Sequence, residues 1–198
     1  MNILYIDHYA GSLSMGMEFR PYYFAQEWQK LGHKVRIIGA SFSHLRKQNP
    51  QVSHDFELQI IDGVEFQWIK TRTYKGNSVA RAITMAEFCG KLYKEANSIV
   101  QDFHPDTIIS SSTYPLDTFP AQRMKKISQN AQLIHEIHDM WPLTPVEMYG
   151  MSPKHPFVMA MQWGENSFCK HSDKVVSVLP DACDYLVAHG MKREKFYY

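Results

Sequence analysis

The sequence has few cysteines, and their spacing indicates neither a metal site nor a disulfide framework. Cys89, Cys169 and Cys183 are scattered among 198 residues, and no CxxC pair occurs. Zinc knuckles and small disulfide-rich domains need closely spaced or paired cysteines. We therefore expect no bound metal, and a reducing compartment such as the cytoplasm fits this cysteine usage best.

An excess of charge of one sign is also missing. Lys and Arg number 21 against 20 for Asp and Glu, so the formal net charge is +1. Nucleic-acid binders usually carry a basic excess, so we expect no nucleic-acid partner. No apolar run approaches the roughly 18 residues of a membrane-spanning helix, and no basic start with an apolar core indicates a secretory signal. The composition is typical of one globular domain.

Strand and helix patterns alternate along the chain and predict an α/β fold. Residues 2–7 are an apolar run, residues 10–16 are a loop rich in Gly and Ser, a helical pattern continues to Leu31, and residues 35–39 read as a second strand. This succession opens a βαβ unit, which requires a parallel sheet and a right-handed crossover. We predict a Rossmann-like parallel sheet with helices on both faces.

The rest of the chain continues the pattern with one interruption. Residues 56–61 and 64–69, joined at Asp62-Gly63, predict a hairpin at a sheet edge or in an insertion. Residues 140–156, rich in Pro, Met and aromatic residues, are predicted to be a structured loop. Further helices are predicted at 77–103, 116–128, 157–171 and 181–188, and further strands at 106–112, 131–138 and 174–178. Because residues 195–198 read as the start of another strand, we expect the natural protein to continue.

Polar residues follow several predicted strands at the point where each strand ends. The first strand leads into the loop at residues 10–16, another ends in Ser112 and Thr113, and a third ends in Glu136 and His138. In open α/β sheets, ligands bind beyond the carboxyl ends of the strands. We therefore expect these three clusters to share one rim of the sheet.

The glycine loop and the helix after it offer a candidate anion site. Backbone N–H groups at a helix N-terminus bind anions, and glycine allows close approach. Gly11 and Gly16 match neither the GxGxxG nor the GxxxxGK[ST] pattern, so Gly16 marks either a phosphate or sugar contact or a plain tight turn. Arg20, in the first helical turn, opposes the helix dipole. It therefore needs a partner, either an anionic ligand or a carboxylate of the fold.

The segment LIHEIHDMWP at residues 133–142 is the most informative part of the sequence. On a strand, Glu136 and His138 face one side while His135 and Asp139 face the other, which argues against joint metal ligation by the two histidines. His138 suits proton transfer or a hydrogen bond to a sugar hydroxyl, with Asp139 beside it to orient it. The alternative is a structural histidine bonded to a backbone carbonyl.

Three segments of the chain resemble glycosyltransferase family 4, which has the GT-B fold. Residues 16–39, with their LGHKV turn, resemble the family's first helix and second strand. EIHDMWP at residues 136–142 resembles its E-x-[HR]-D-x-W-P segment, found among enzymes that build bacterial surface polysaccharide. Residues 172–198 resemble the stretch that precedes the interdomain linker of that family.

The resemblance implies the N-terminal, acceptor-side domain of a retaining enzyme. Such an enzyme moves a sugar from a nucleotide-sugar donor to a saccharide or lipid-linked acceptor, without a cofactor or metal. The donor-binding C-terminal domain is expected outside this chain, which alone should be inactive. The protein is expected in the cytoplasm, with peripheral contact with the inner face of the membrane as an open question. The predicted site comprises His138 and Asp139 as catalytic residues and, for donor-phosphate or acceptor binding, Gly16, Met17, Arg20, Ser112, Thr113 and Glu136.

Two other functions stay open at this point. One is a non-catalytic module that binds a nucleotide or a sugar. The other is a sugar-nucleotide epimerase with the same fold, which would isomerise a nucleotide sugar without any acceptor.

Overall fold

The computed structural model describes residues 1–76 and 78–198. Within these residues the strands are β1 (Asn2–Ile6), β2 (Lys34–Ala40), β3 (Glu57–Ile61), β4 (Val64–Ile69), β5 (Thr107–Ser110), β6 (Gln132–Ile137), β7 (Lys174–Ser177) and β8 (Phe196–Tyr197). The α-helices are α1 (Arg20–Lys30), α2 (Val79–Phe103), α3 (Thr118–Ser128), α4 (Leu143–Tyr149), α5 (Pro156–His171) and α6 (Ala182–Ala188).

The strands form one sheet in the order β3-β4-β2-β1-β5-β6-β7-β8. Strand β3 runs antiparallel to β4, and all the other neighbouring pairs are parallel. Strand β1 is central, with Tyr5 opposite Ile37 of β2 and Ile109 of β5. This arrangement confirms the predicted Rossmann-like α/β fold. It also brings the carboxyl ends of β1, β5 and β6 side by side at one edge.

The hairpin prediction is also confirmed, with β3 and β4 joined by Asp62 and Gly63. Asp62 has φ +49° and Gly63 has φ +81°, and two consecutive positive φ values are the mark of the tight primed turn that connects antiparallel strands. Because β4 pairs with β2 on its other side, β3 forms one edge of the sheet.

Helices cover both faces of the sheet, which explains why central strands such as β1 are apolar along most of their length. Side chains of β1 alternate between the two faces. On one face, α1 packs on the strands through a core that includes Ile3, Tyr5, Tyr22, Ala25, Val35, Ile37 and Phe66. On the other face, α2 and α3 pack on a core that includes Leu4, Ile6, Ile38, Phe88, Leu92, Ile108, Ala121, Met124 and Leu133.

The prediction of a loop at residues 140–156 was wrong in part, because α4 occupies Leu143–Tyr149. Pro145 lies in its first turn, where the missing N–H costs no intrahelical hydrogen bond. Gly150, with φ +64°, ends the helix. The long helix predicted from residue 77 is observed from Val79, and Asn77 itself lies outside the described residues.

Candidate functional site

The loops after β1 and β5 contact each other directly at the carboxyl edge of the sheet. The backbone N–H of His8, just after β1, donates to Ser112 Oγ at 3.1 Å. The N–H of Ser112 in turn donates to Asp117 Oδ2 at 2.9 Å. Ser112 is therefore buried and joins the two loops, while the next residue, Thr113, borders a narrow cleft together with Glu136 and Asp139.

Glu136, near the end of β6, is the centre of a buried polar cluster. Its Oε1 accepts from Arg20 Nε at 2.7 Å and from Arg20 Nη2 at 2.6 Å. Its Oε2 accepts from Ser111 Oγ at 2.8 Å and from the hydroxyl of Tyr5. The cluster therefore joins α1 to β6 across β1 and β5. Arg20 has the second of its two expected partners, a carboxylate of the fold.

His138 lies one residue beyond β6 and belongs to the same cluster. Its Nε2 is 2.6 Å from Ser111 Oγ and 3.7 Å from Glu136 Oε2. Its side chain is 21% exposed, whereas that of Glu136 is 5% exposed. His138, like Arg20 on the other side of the carboxylate, therefore connects the buried Glu136 with the solvent.

The pKa shifts in the cluster follow from burial and from the opposite charges. Burial alone would raise the pKa of Glu136, but His138, the Tyr5 hydroxyl and Arg20 outweigh it and lower that pKa. Burial, aided by Arg20, lowers the pKa of His138 against the opposing effect of Glu136. Burial and the adjacent carboxylate raise the pKa of Tyr5 well above its usual value. At neutral pH the cluster thus holds a carboxylate, a neutral imidazole and a neutral phenol.

His135 points to the opposite face of β6. Its Nδ1 is 2.7 Å from Ser110 Oγ, and its ring stacks on Phe168 of α5 with the centroids 3.9 Å apart. Burial lowers the pKa of His135 to about 3. The divergence of His135 and His138 matches the prediction from strand alternation. Among the described residues, no group of three His, Cys, Asp or Glu side chains is placed to hold a metal ion.

Asp139 does not orient His138 as the sequence led us to expect. Its Oδ2 accepts from Trp141 Nε1 at 2.8 Å, and its Oδ1 accepts from Thr144 Oγ1 at 2.6 Å. The strand ends at Ile137, so the chain turns and the carboxylate of Asp139 points to the start of α4. The acidic partner of His138 is Glu136, reached through Ser111.

The glycine loop forms a tight structure of its own. The N–H of Gly16 donates to the Ser12 carbonyl at 3.0 Å. Gly16 has φ +88°, and a Cβ there would come within 3.1 Å of the Lys47 side chain. Gly11 is more constrained, because a Cβ would lie 1.7 Å from the Met17 carbonyl oxygen. Met17 itself is 39% exposed beside this turn.

Tyr5 and Ser111 are the two cluster members that the sequence analysis did not select. Tyr5 lies in an apolar strand and looks like core, although a buried tyrosine hydroxyl usually requires a partner. Ser111 belongs to a run of three serines, and only its strand position separates it from Ser110 and Ser112. Alternation continued one residue past the end of β5 was the available signal, since Ser110 contacts His135 and Ser111 contacts His138 on opposite faces.

Residues 15–197 match the family of glycosyl transferase 4-like domains. The chain belongs to this family. Its parallel sheet with flanking helices is that of a GT-B glycosyltransferase N-terminal-like domain. No curated protein matches the sequence significantly.

Solved structures with a similar fold support the same architecture for this glycosyl transferase 4-like domain. UDP-GlcNAc 2-epimerase from Methanocaldococcus jannaschii is 13% identical with a TM-score of 0.54, over 98% of this chain and 44% of that one. UDP-GlcNAc 2-epimerase from Neisseria meningitidis, bound to UDP-GlcNAc, is 12% identical with a TM-score of 0.53, over 99% and 46%. HepE from Anabaena, in complex with UDP and glucose, is 10% identical with a TM-score of 0.52, over 100% and 43%. The chain thus spans less than half the length of these structures.

Within the part of the chain that the structure describes, no helix is both long enough and apolar enough to cross a membrane.

Proposed function

We propose that this domain is the N-terminal part of a retaining glycosyltransferase. The enzyme would move a sugar from a nucleotide-sugar donor to a saccharide or lipid-linked acceptor in cell-surface polysaccharide synthesis. The observation that carries this proposal is the family match over residues 15–197, because the fold alone is also that of epimerases. The EIHDMWP segment, which resembles enzymes of surface-polysaccharide synthesis, supports the finer assignment.

The proposed catalytic residue is His138, since its ring borders solvent above a buried carboxylate. A neutral imidazole in this position can hydrogen-bond a sugar hydroxyl or accept its proton. We assign Asp139 a supporting role, in which its hydrogen bonds with Trp141 and Thr144 fix the turn between His138 and α4. Glu136, through Ser111, provides the orientation that was expected of Asp139.

The remaining predicted residues divide into exposed and buried groups. We assign Thr113, Gly16 and Met17 to contacts with the acceptor or the donor phosphates, because they lie on loops at this rim and are not fully buried. Arg20, with 30% of its side chain exposed, could reach an anionic ligand while still bonded to Glu136. Ser112 is buried between two loops and would act by holding their shape.

We propose that a second, donor-binding domain completes the enzyme. The chain covers 43–46% of the structures compared above, and a two-domain enzyme places its ligand between the domains. The 198 residues alone would then bind weakly and transfer nothing. Since the structures compared above include complexes with UDP and glucose and with UDP-GlcNAc, uridine nucleotides are the first donors to test.

A lipid-linked acceptor would bring the protein from the cytoplasm to the inner face of the membrane. Large apolar side chains are exposed on α4 and α5, namely Met148, Tyr149, Met159 and Trp163. Exposed apolar side chains on a helix can insert into the headgroup region of a membrane. The test is co-sedimentation of the full-length protein with anionic liposomes at low salt, and recovery of all the protein in the supernatant would contradict membrane contact.

The decisive experiment measures transfer by the full-length protein. It is incubated with UDP-sugars and an acceptor extract, and sugar incorporation is compared for wild type, His138→Ala and His54→Ala. His54 is an exposed histidine that is not part of the cluster, and it serves as the matched control. We expect a loss of about 10²-fold or more for His138→Ala, typical of a lost acid–base group, and no loss for the control. Full activity of a folded His138→Ala protein would remove His138 from the mechanism.

The second candidate is a sugar-nucleotide epimerase, because two of the compared structures are UDP-GlcNAc 2-epimerases. An epimerase would isomerise UDP-GlcNAc without an acceptor, whereas a transferase would consume the donor only when an acceptor is present. Incubation of full-length protein with UDP-GlcNAc alone, followed by chromatographic separation of the epimers, distinguishes the two. A protein that binds the nucleotide sugar but changes it under neither condition would be a binding module.

A further inference from the structure

The hydroxyl of Ser111 has more neighbours than it has protons. Its Oγ lies 2.8 Å from Glu136 Oε2, 2.6 Å from His138 Nε2 and 3.0 Å from the Tyr5 hydroxyl. A serine hydroxyl donates one hydrogen bond and accepts up to two. The direction of each bond around Ser111 is therefore determined by which neighbour can only accept.

Glu136 is the neighbour that can only accept. Arg20 contacts its Oε1 through two nitrogens, at 2.7 and 2.6 Å, and this cation favours the ionised carboxylate. The lowered pKa of Glu136 agrees with that charge state. An ionised carboxylate has no proton to give, so the Ser111 proton points to Glu136. Whether the Tyr5 proton goes to Glu136 or to Ser111, a lone pair of Ser111 remains for His138.

The bond between Ser111 and His138 must then be donated by the imidazole. Ser111 Oγ offers a lone pair, so Nε2 carries the ring proton. In a neutral imidazole the other nitrogen is an acceptor, and burial keeps His138 neutral by lowering its pKa. No described residue forms a hydrogen bond with Nδ1 of His138. This nitrogen is also not buried, unlike the unpaired polar atoms in the interior of the protein. It is therefore open to a ligand.

We propose that Glu136 and Ser111 are positioning residues that hold His138 as the Nε2–H tautomer and so present Nδ1 as a hydrogen-bond acceptor for a ligand hydroxyl. The identity of that ligand, a hydroxyl of the bound sugar, rests on the proposed function. The tautomer does not rest on it, because it follows from the contacts within the chain. A site built this way selects a ligand with a hydroxyl donor at this point and disfavours one that offers only a carbonyl or ether oxygen.

The tautomer can be read directly by nitrogen NMR of the ¹⁵N-labelled 198-residue chain. The two-bond proton–nitrogen correlations of His138 are assigned by their loss in His138→Gln. We expect Nε2 at the protonated position and Nδ1 at the unprotonated position at pH 7.5. The reverse assignment, an equal mixture, or a doubly protonated ring in the wild-type protein would overturn the proposal, and His138→Gln is needed only to assign the resonances.

Two variants test the route from Glu136 to the ring. In Ser111→Ala the imidazole loses its acceptor, and we expect the tautomer ratio to fall about fivefold or more, the equilibrium effect of one hydrogen bond. In Glu136→Gln the amide can donate to Ser111, which frees the serine proton for His138 and reverses the preference. Ser110→Ala is the matched control, since Ser110 contacts His135 on the other face. An unchanged ratio in folded Ser111→Ala, or a changed one in Ser110→Ala, would contradict the proposal.

The ligand is tested separately, by adding UDP-glucose to the full-length wild-type protein and to the full-length variants named above. A shift of the His138 Nδ1 resonance with UDP-glucose but not with UDP supports the sugar hydroxyl as its partner. The expected tautomer without any UDP-glucose response in full-length protein would leave the positioning role intact and count against the proposed function. A sugar-dependent shift on the opposite tautomer would support the function and overturn the positioning role.

Discussion

Arg20 Nε lies 2.7 Å from Glu136 Oε1, so the first residue of α1 is bonded to a strand two positions away from β1 in the sheet. The carboxylate is 5% exposed and the guanidinium is 30% exposed. A cation at the first turn of a helix is unfavourable by itself. Its position is explained by this carboxylate, which would otherwise be buried without a counter-charge.

We expect Arg20→Ala to destabilise the protein by about 2–4 kcal/mol, because it leaves a buried carboxylate unpaired. Urea unfolding followed by circular dichroism measures the free energy of unfolding. Arg193→Ala is the control, since it removes an ion pair with Asp184 whose side chains are 64% and 82% exposed. That change should cost less than about 1 kcal/mol. Equal losses in the two variants would show that burial of Glu136 does not matter.

The stability contribution of His135 should depend on pH. Burial lowers its pKa to about 3 in the folded chain, against about 6.5 when unfolded. The unfolded state therefore binds more protons between these values. The contribution is complete above pH 6.5 and is lost as the pH falls, by at most about 1.4 kcal/mol per pH unit.

The comparison that isolates this effect is between wild type and His135→Gln. The pH dependence of the unfolding free energy of the wild type also reflects two other buried groups. Burial lowers the pKa of His8 and raises the pKa of Asp117 to about 7. The contributions of these other groups cancel in the difference in unfolding free energy between wild type and His135→Gln. We expect it to shrink between pH 7.5 and pH 5, and a difference that stays constant would contradict a neutral, buried His135. His54→Gln, a change at an exposed position, is the control.

Three glycines should respond differently to alanine because their surroundings differ. Gly11→Ala places a Cβ 1.7 Å from a backbone oxygen and should cost more than about 2 kcal/mol, since the loop must move. Gly16→Ala introduces a side chain at φ +88° and should cost about 1–2 kcal/mol. Gly90 lies inside α2, and nothing is within 4 Å of the position that a Cβ would take. Gly90→Ala should therefore stabilise the protein by up to about 1 kcal/mol. Thermal unfolding of the three variants measures this order, and any other order contradicts the loop structure.

Asp139 and His138 should be separable by mutation, because they belong to different hydrogen-bond groups. Asp139→Ala removes two acceptor contacts at the start of α4 and should cost about 2 kcal/mol. Combining it with Thr144→Val should cost less than the sum of the two single changes. The His138 nitrogen resonances should keep their tautomer in Asp139→Ala. A change of tautomer there would restore Asp139 as the partner of His138.

Local patterns predicted most of the fold. The alternation of apolar strands with helical stripes indicated the parallel sheet, and Asp62-Gly63 indicated the hairpin because that turn needs two positive φ values. The helix α4 was missed because Pro142, Pro145 and Pro153 suggested a loop. Proline is tolerated in a first helical turn, and sequence alone does not say where that turn begins.

The site was predicted less completely because its contacts join distant parts of the chain. Strand alternation correctly separated His135 from His138, since that rule is local. The expectation that Asp139 orients His138 was wrong, because the chain turns after Ile137 and Asp139 accepts from Trp141 and Thr144 instead. Tyr5 could not be selected, because its hydroxyl meets Glu136 only after β1 and β6 have each paired with β5. Residues that look like core can thus complete a polar site through strand order alone.

The separation between Tyr5 and Glu136 has a consequence for how the protein folds. These partners are 131 positions apart in the sequence, and β1 pairs with β5 across about a hundred residues. Such long-range contacts form slowly because a large loop must close first. During synthesis, β1 leaves the ribosome long before β5 and β6 can pair beside it. The hydroxyl of Tyr5 therefore has no partner until β6 has been synthesised, and the polar cluster cannot form before that point.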